Sequence, residues 1–173
     1  MSKKKEIFTQ LRVPGGEVTE SDGVVYAFHH AGGSATSFVP FARAAPRLSW
    51  RALQLPGRGV RMSEAHPSSV AGIVGEAVVA MASEMGAGGE YVVFGHSMGA
   101  TLAYEVVRAL MAVGAGNGDG KASGADAELA AAVEEAAAAA GVAMETVCAL
   151  PMPKALIVSA RSAFPVSASP RTW

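Results

Sequence analysis

The sequence predicts an α/β fold in which a parallel sheet carries helices on both faces. Three observations predict it. Apolar runs near 24–29, 51–55, 91–94 and 154–159 alternate with helical stretches near 35–45, 67–85 and 99–113. That alternation is the signature of strands joined by crossover helices. The strand runs are apolar at successive positions rather than at every second one, as expected when both faces of a sheet are covered. Finally, one strand leads through a glycine-flanked serine directly into a helix.

Taken in order, Val24-Val25-Tyr26-Ala27-Phe28 reads as the first strand. It runs into His29-His30-Ala31-Gly32-Gly33-Ser34, with a helix following over about 35–45. Paired glycines allow a backbone to come close to a ligand. The alternative is an ordinary glycine turn with His29 and His30 as polar loop residues. The next strand ends at Leu55 and breaks at Pro56-Gly57. Arg58 and Arg61 follow it. They either pair with structural carboxylates or draw an anionic partner, and pairing is the commoner fate of a single arginine. Helix 67–85 has an apt first residue in Pro67. Its Val70, Ile73, Val74, Ala77, Val78 and Met81 recur at helical spacing and form a core stripe.

Tyr91-Val92-Val93-Phe94 is the third strand, Gly95-His96-Ser97-Met98-Gly99 the turn, and Ala100 to Met111 the helix after it. A strand, a serine between glycines and a helix make a nucleophile elbow, here over residues 94–100. The glycines let the backbone turn sharply, and the helix N-terminus offers N–H groups to a developing oxyanion. The alternative is a serine that merely caps the helix. Gly114 to Gly124 reads as a flexible linker, and the alanine-rich helix 125–140 has few large side chains to pack. The stretch 114–150 is expected to be a Gly/Ala-rich insertion, flexible in part.

At 173 residues the chain is expected to be one domain, 1–173, and with half of its residues hydrophobic it is expected to be globular rather than disordered. A net charge of −1 gives no electrostatic case for nucleic acid. The single cysteine, Cys148, excludes an internal disulfide and fits a reducing compartment. No signal-peptide pattern, membrane-length apolar run, zinc-type Cys/His cluster or phosphate loop is read. No metal, cofactor or membrane partner is therefore expected, and the cytoplasm is the expected location.

Three motifs in order resemble the type II thioesterases, the stand-alone editing enzymes of polyketide and non-ribosomal peptide assembly lines. They are His30-Ala31-Gly32-Gly33-Ser34; Leu55-Pro56-Gly57-Arg58 with Arg61 and Glu64; and Phe94-Gly95-His96-Ser97-Met98-Gly99-Ala100. The medium-chain fatty-acyl thioesterases are similar. Leu156-Ile157-Val158-Ser159-Ala160-Arg161, with Ala163 and Pro165, looks like the strand after the nucleophile helix. The resemblance implies an α/β-hydrolase fold and hydrolysis of acyl thioesters on the phosphopantetheine arm of an acyl or peptidyl carrier protein. It implies Ser97 as the nucleophile, and the backbone N–H groups of Ala31 and Met98 as the oxyanion hole. His30, Gly32 and His96 would line the pocket.

The remaining triad members are not found. In α/β-hydrolases the order is Ser, then Asp or Glu, then His. All four histidines, His29, His30, His66 and His96, precede Ser97, and the aspartates after it are Asp119 and Asp126, both within 114–150. The expectation is an incomplete, truncated α/β-hydrolase: an N-terminal portion without the acid and base. A catalytically dead remnant that binds carrier protein, or a carboxylic-ester hydrolase, are the alternatives. Strand 154–159 should lie beside the nucleophile strand, leaving Leu156, Ile157 and Val158 on an open edge.

Overall fold

The computed structural model of the chain describes residues 6–12, 23–85, 88–115 and 124–159. Strands are β1 (Phe8–Gln10), β2 (Val24–Phe28), β3 (Ser49–Leu53), β4 (Tyr91–His96) and β5 (Ala155–Ser159). Helices are α1 (Val39–Ala44), α2 (Val70–Met85), α3 (Met98–Ala115), α4 (Ala125–Ala140) and α5 (Met144–Cys148). The sheet order is β1-β3-β2-β4-β5. β3, β2, β4 and β5 are parallel, while β1 runs antiparallel to β3.

The predicted α/β class is what is found, with three corrections of detail. The sheet is mixed, because β1 adds an antiparallel edge that the sequence pattern does not announce. Three residues are too few for a periodic signal, and Phe8 anchors them by itself. It is buried and meets the rings of Tyr26 and Phe28 edge-on, at centroid distances of 4.8 and 5.9 Å. Helix α2 begins at Val70 rather than Pro67. Ser69 Oγ accepts the Gly72 N–H at 3.0 Å and so caps the helix three residues later than proline suggested. The expected helix 35–45 opens as a 3₁₀ turn, Ala35–Phe38, before α1.

The apolar strands sort their side chains by parity. Tyr26, Phe28, Leu53, Tyr91 and Val93 face α2, α3 and α4, whereas Val25, Ala27, Trp50 and Ala52 face the Ala35–Phe38 turn and α1. Helices thus cover both faces of the sheet. β5 pairs with β4 from Val92↔Ala155 to His96↔Ser159, as expected. Its Ile157 and Val158 are 46% and 48% exposed, and among the described residues it has a strand on one side only. Among the same residues no helix is long and apolar enough to cross a membrane.

α4 overturns the expectation that it has little to pack. Leu129, Val133 and Ala137, four residues apart, form one buried stripe continuous with the α2–α3 core. Small side chains are what make the contact possible. A Cβ on Gly75 of α2 would fall 2.3 Å from the Ala132 carbonyl oxygen. Backbones that close leave no room for larger residues, so a pattern search for bulky apolar positions overlooks the helix. Of the linker read over 114–124, residues 116–123 lie outside the described residues, while Gly114 and Ala115 prove to end α3 and Gly124 precedes α4. Ala160, Arg161, Ala163 and Pro165 also lie outside the described residues.

Gly75→Ala should therefore destabilise the chain by about 1–3 kcal/mol through overpacking. Gly114→Ala, in α3 with nothing within 4 Å of the added atom, should be neutral or stabilise by up to ~1 kcal/mol. Urea unfolding of both variants measures this, and a Gly75→Ala protein as stable as the parent would contradict the packing described.

Candidate active site

The site is built where the parallel strands end. β4 finishes at His96 and α3 starts at Met98, leaving Ser97 alone to make the turn. Its φ is 55°, the one positive value outside glycine among the described residues. An L-residue avoids this left-handed region at a cost of about 1–2 kcal/mol. The surroundings enforce it. A Cβ on Gly95 would lie 2.3 Å from the Gly99 carbonyl oxygen and 2.6 Å from the Ala100 Cα. A Cβ on Gly99 would lie 1.8 Å from the Phe28 carbonyl oxygen. Both flanking glycines are demanded by backbone contacts, so the motif is steric in origin.

Two hydrogen bonds fix the serine's own backbone. Its N–H donates to the Ser159 carbonyl at 2.8 Å, continuing the β4–β5 ladder, and its carbonyl accepts from Ala100 at 2.8 Å. The side chain is exposed. Met98 begins an 18-residue helix, so its N–H belongs to the first turn, whose N–H groups have no partner within the helix.

The second loop sits beside this turn, because α3 rests on the carbonyls of Phe28 and His29 at the end of β2. A turn from His30 to Gly33 is closed by the Gly33 N–H on the His30 carbonyl at 3.0 Å, with Gly32 at φ 79°. Positive φ at the third position of such a turn requires glycine. Ala31, at the exposed tip, has no internal acceptor for its N–H among the described residues. Arg58 Nη1 donates to the Gly32 carbonyl at 3.2 Å.

The histidines divide. The rings of His30 and His96 meet edge to face at a centroid distance of 5.7 Å. His96 Nδ1 donates to the Ser159 carbonyl at 2.9 Å. His66 lies elsewhere, in an open cleft of about 440 Å³ with Pro56, Glu64, Ile73 and Glu76, which no elbow residue lines. His29 is the one that sequence reasoning misplaced. It is buried at 1% exposure, its Nδ1 bonded to the His30 carbonyl at 2.8 Å and its Nε2 without a partner. Burial lowers its pKa below the ordinary histidine value; the bond to the His30 carbonyl opposes this, while the charges of the His30 ring and Arg58 add to it. The signal available was parity: His29 continues the Val25, Ala27 face of β2.

Among the described residues no group is hydrogen-bonded to Ser97 Oγ, and no carboxylate is hydrogen-bonded to a histidine. Asp126 is engaged by Arg108 instead. Arg61 resolves to the structural alternative. It is 3% exposed, forks onto Glu64 at 2.8 and 2.7 Å, reaches Glu76 at 2.9 Å, and donates to the Gln54 carbonyl at 2.9 Å.

Residues 24–118, which span both loops and the elbow, match the thioesterase domain family. The chain belongs to that family. The thioesterase TesA of Mycobacterium leprae (strain TN) is 32% identical over 97 residues, which cover 56% of this chain and 37% of that protein. Linear gramicidin dehydrogenase LgrE of Brevibacillus parabrevis is 29% identical over 92 residues, 53% of this chain and 34% of that protein. The type II thioesterase BorB from the borrelidin biosynthetic cluster superposes with a TM-score of 0.52 at 30% identity, over 66% of this chain and 44% of BorB. The chain thus spans about a third of the length of the curated relatives it matches.

At this turn, Gly99→Ala should be far more damaging than a surface substitution. The added methyl cannot coexist with the Phe28 carbonyl, so α3 must lift off β2, at a cost of about 3 kcal/mol or more. Thermal unfolding followed by circular dichroism tests it. A midpoint unchanged from the parent would contradict the close approach.

Proposed function

We propose that the chain carries the nucleophile and oxyanion half of an acyl-thioester hydrolase, acting on acyl groups held on the phosphopantetheine arm of an acyl or peptidyl carrier protein. The observation that carries this reading is Ser97 at φ 55°, between two glycines that have no space for a side chain. Such a serine is strained, exposed and set at a helix N-terminus, the arrangement that acyl-transfer chemistry uses. Its Oγ would attack the thioester carbonyl. The negative oxygen would settle between the N–H groups of Met98 and Ala31. Collapse would expel the pantetheine thiolate and leave the acyl group on Ser97, to be released by water.

His30, Gly32 and His96 would line the pocket around the acyl carbonyl. The carrier substrate follows from likeness to type II thioesterases of biosynthetic clusters, and work in the cytoplasm follows from the carrier. Residues 1–173 are read as one domain with 114–150 inserted in it. Removing the Ser97 proton needs a base. No histidine is hydrogen-bonded to Ser97 among the described residues. That observation favours a second reading, a carrier-binding module that keeps the surface without turnover.

Acyl-coenzyme A and acyl-carrier thioesters, with a fluorophosphonate probe, separate these readings. The 173-residue chain should be phosphonylated slowly at Ser97. It should hydrolyse thioesters orders of magnitude below the ~1–10 s⁻¹ of ordinary enzymes, with the remaining rate abolished in Ser97→Ala. Carrier binding with no Ser97-dependent turnover would favour the binding module. Ordinary turnover that survives Ser97→Ala would contradict both.

A further inference from the structure

We propose that His29 is a positioning residue that aims the Ala31 N–H at the oxyanion, by holding the opposite end of the same peptide group. The inference rests on the reading of Ala31 as an oxyanion donor. It concerns a residue that the motifs do not include.

The geometry is that of one trans peptide, since the described chain has no cis bonds. In a trans peptide the carbonyl and the following N–H point in opposite directions. The His30 carbonyl is held by two donors, His29 Nδ1 at 2.8 Å and the Gly33 N–H at 3.0 Å. With its oxygen tied back to the loop, the His30–Ala31 peptide presents the Ala31 N–H on the other side. Ala31 is exposed there, and no internal acceptor among the described residues takes its N–H. The Gly33 bond is the ordinary closure of the turn. The His29 bond is an addition that the turn does not need.

The proton on His29 follows from chemistry. A carbonyl oxygen only accepts, so Nδ1 must carry the hydrogen. The neutral ring then keeps its lone pair on Nε2, which is buried and unpartnered. Leaving a polar atom in that state is unfavourable. Val25 and Ala27, which precede His29 at every second position, are apolar and buried, and an apolar residue at 29 would have avoided the orphan nitrogen. What it would have lacked is the Nδ1–H donor. The Gly32–Gly33 peptide, on the far side of the tip, is held as well, by Arg58 on the Gly32 carbonyl at 3.2 Å.

Two substitutions separate positioning from packing. In His29→Asn the side-chain amide can place an N–H near the Nδ1 position. In His29→Phe the volume is kept and the donor is lost. Ser97 phosphonylation by a fluorophosphonate, whose phosphoryl oxygen occupies the oxyanion site, reads the consequence. His29→Phe should slow labelling about tenfold or more, a smaller loss than the roughly hundredfold or more that removing an oxyanion donor outright costs. His29→Asn should stay within a few-fold of the parent, whichever variant has the higher thermal midpoint. Labelling of His29→Phe within twofold of the parent, or an equal loss in both variants, would overturn the proposal. ¹⁵N NMR of the parent ring adds a readout independent of activity: the proton should sit on Nδ1, and the Ala31 amide ¹⁵N signal should move in His29→Phe but not in His29→Asn. A proton on Nε2, or an unmoved Ala31 signal, overturns it too. Failure of the parent to label at Ser97 would instead sink the nucleophile reading, and the NMR result would still decide what His29 does.

Discussion

The contact between the first turn of α3 and the end of β2 is the constraint on which the rest depends. Gly99 sits so close to the Phe28 carbonyl that a single methyl group would overlap it, at 1.8 Å. This approach brings the helix N-terminus over the carboxyl ends of the strands. It also leaves only one residue, Ser97, to reverse the chain between β4 and α3, and one residue can do that only at positive φ. The strain at Ser97 and the two flanking glycines are thus consequences of the same close packing. The core supports it from below, where Val106, Ala103 and Leu102 of α3 are buried against the sheet.

Placed this way, the serine and the neighbouring loop share one electrostatic environment. The N-terminus of α3 contributes N–H groups and the positive end of its dipole. The His30–Gly33 turn contributes an outward N–H, and its carbonyls are tied down by His29, Gly33 and Arg58. Preorganised donors of this kind favour a negative oxygen without rearranging when it forms. Among the described residues a proton acceptor at Ser97 is what the arrangement lacks. The nearest imidazole in sequence, His96, spends its Nδ1 on the Ser159 carbonyl.

How much of this is legible in the sequence depends on whether the cause is local. The elbow is legible because its cause is steric and lies within five consecutive residues. The parallel core strands are legible because covering both faces writes apolar residues at every position. α4 is misjudged because its packing comes from the smallness of Gly75 and the alanines, and smallness looks like the absence of a signal. β1 is missed because it is three residues long and its one buried side chain, Phe8, meets partners distant in sequence. Arg61 stays open between two readings until the fold brings Glu64, Glu76 and the Gln54 carbonyl together around it. His29 reads as a loop residue because a histidine beside glycines looks solvated. Its burial follows from the alternation of β2, which places residue 29, just past the strand's end, on the Val25 and Ala27 side.

The central claim is that packing forces Ser97 into a conformation that a serine resists. Comparing Ser97→Gly with Ser97→Ala by chemical denaturation tests it most directly, because both remove the hydroxyl and only glycine is at ease at φ 55°. Ser97→Gly should be the more stable of the two by about 1 kcal/mol, despite the greater freedom of glycine in the unfolded chain. Equal stability, or a more stable alanine variant, would mean that the turn is unstrained and that the account of the elbow is wrong.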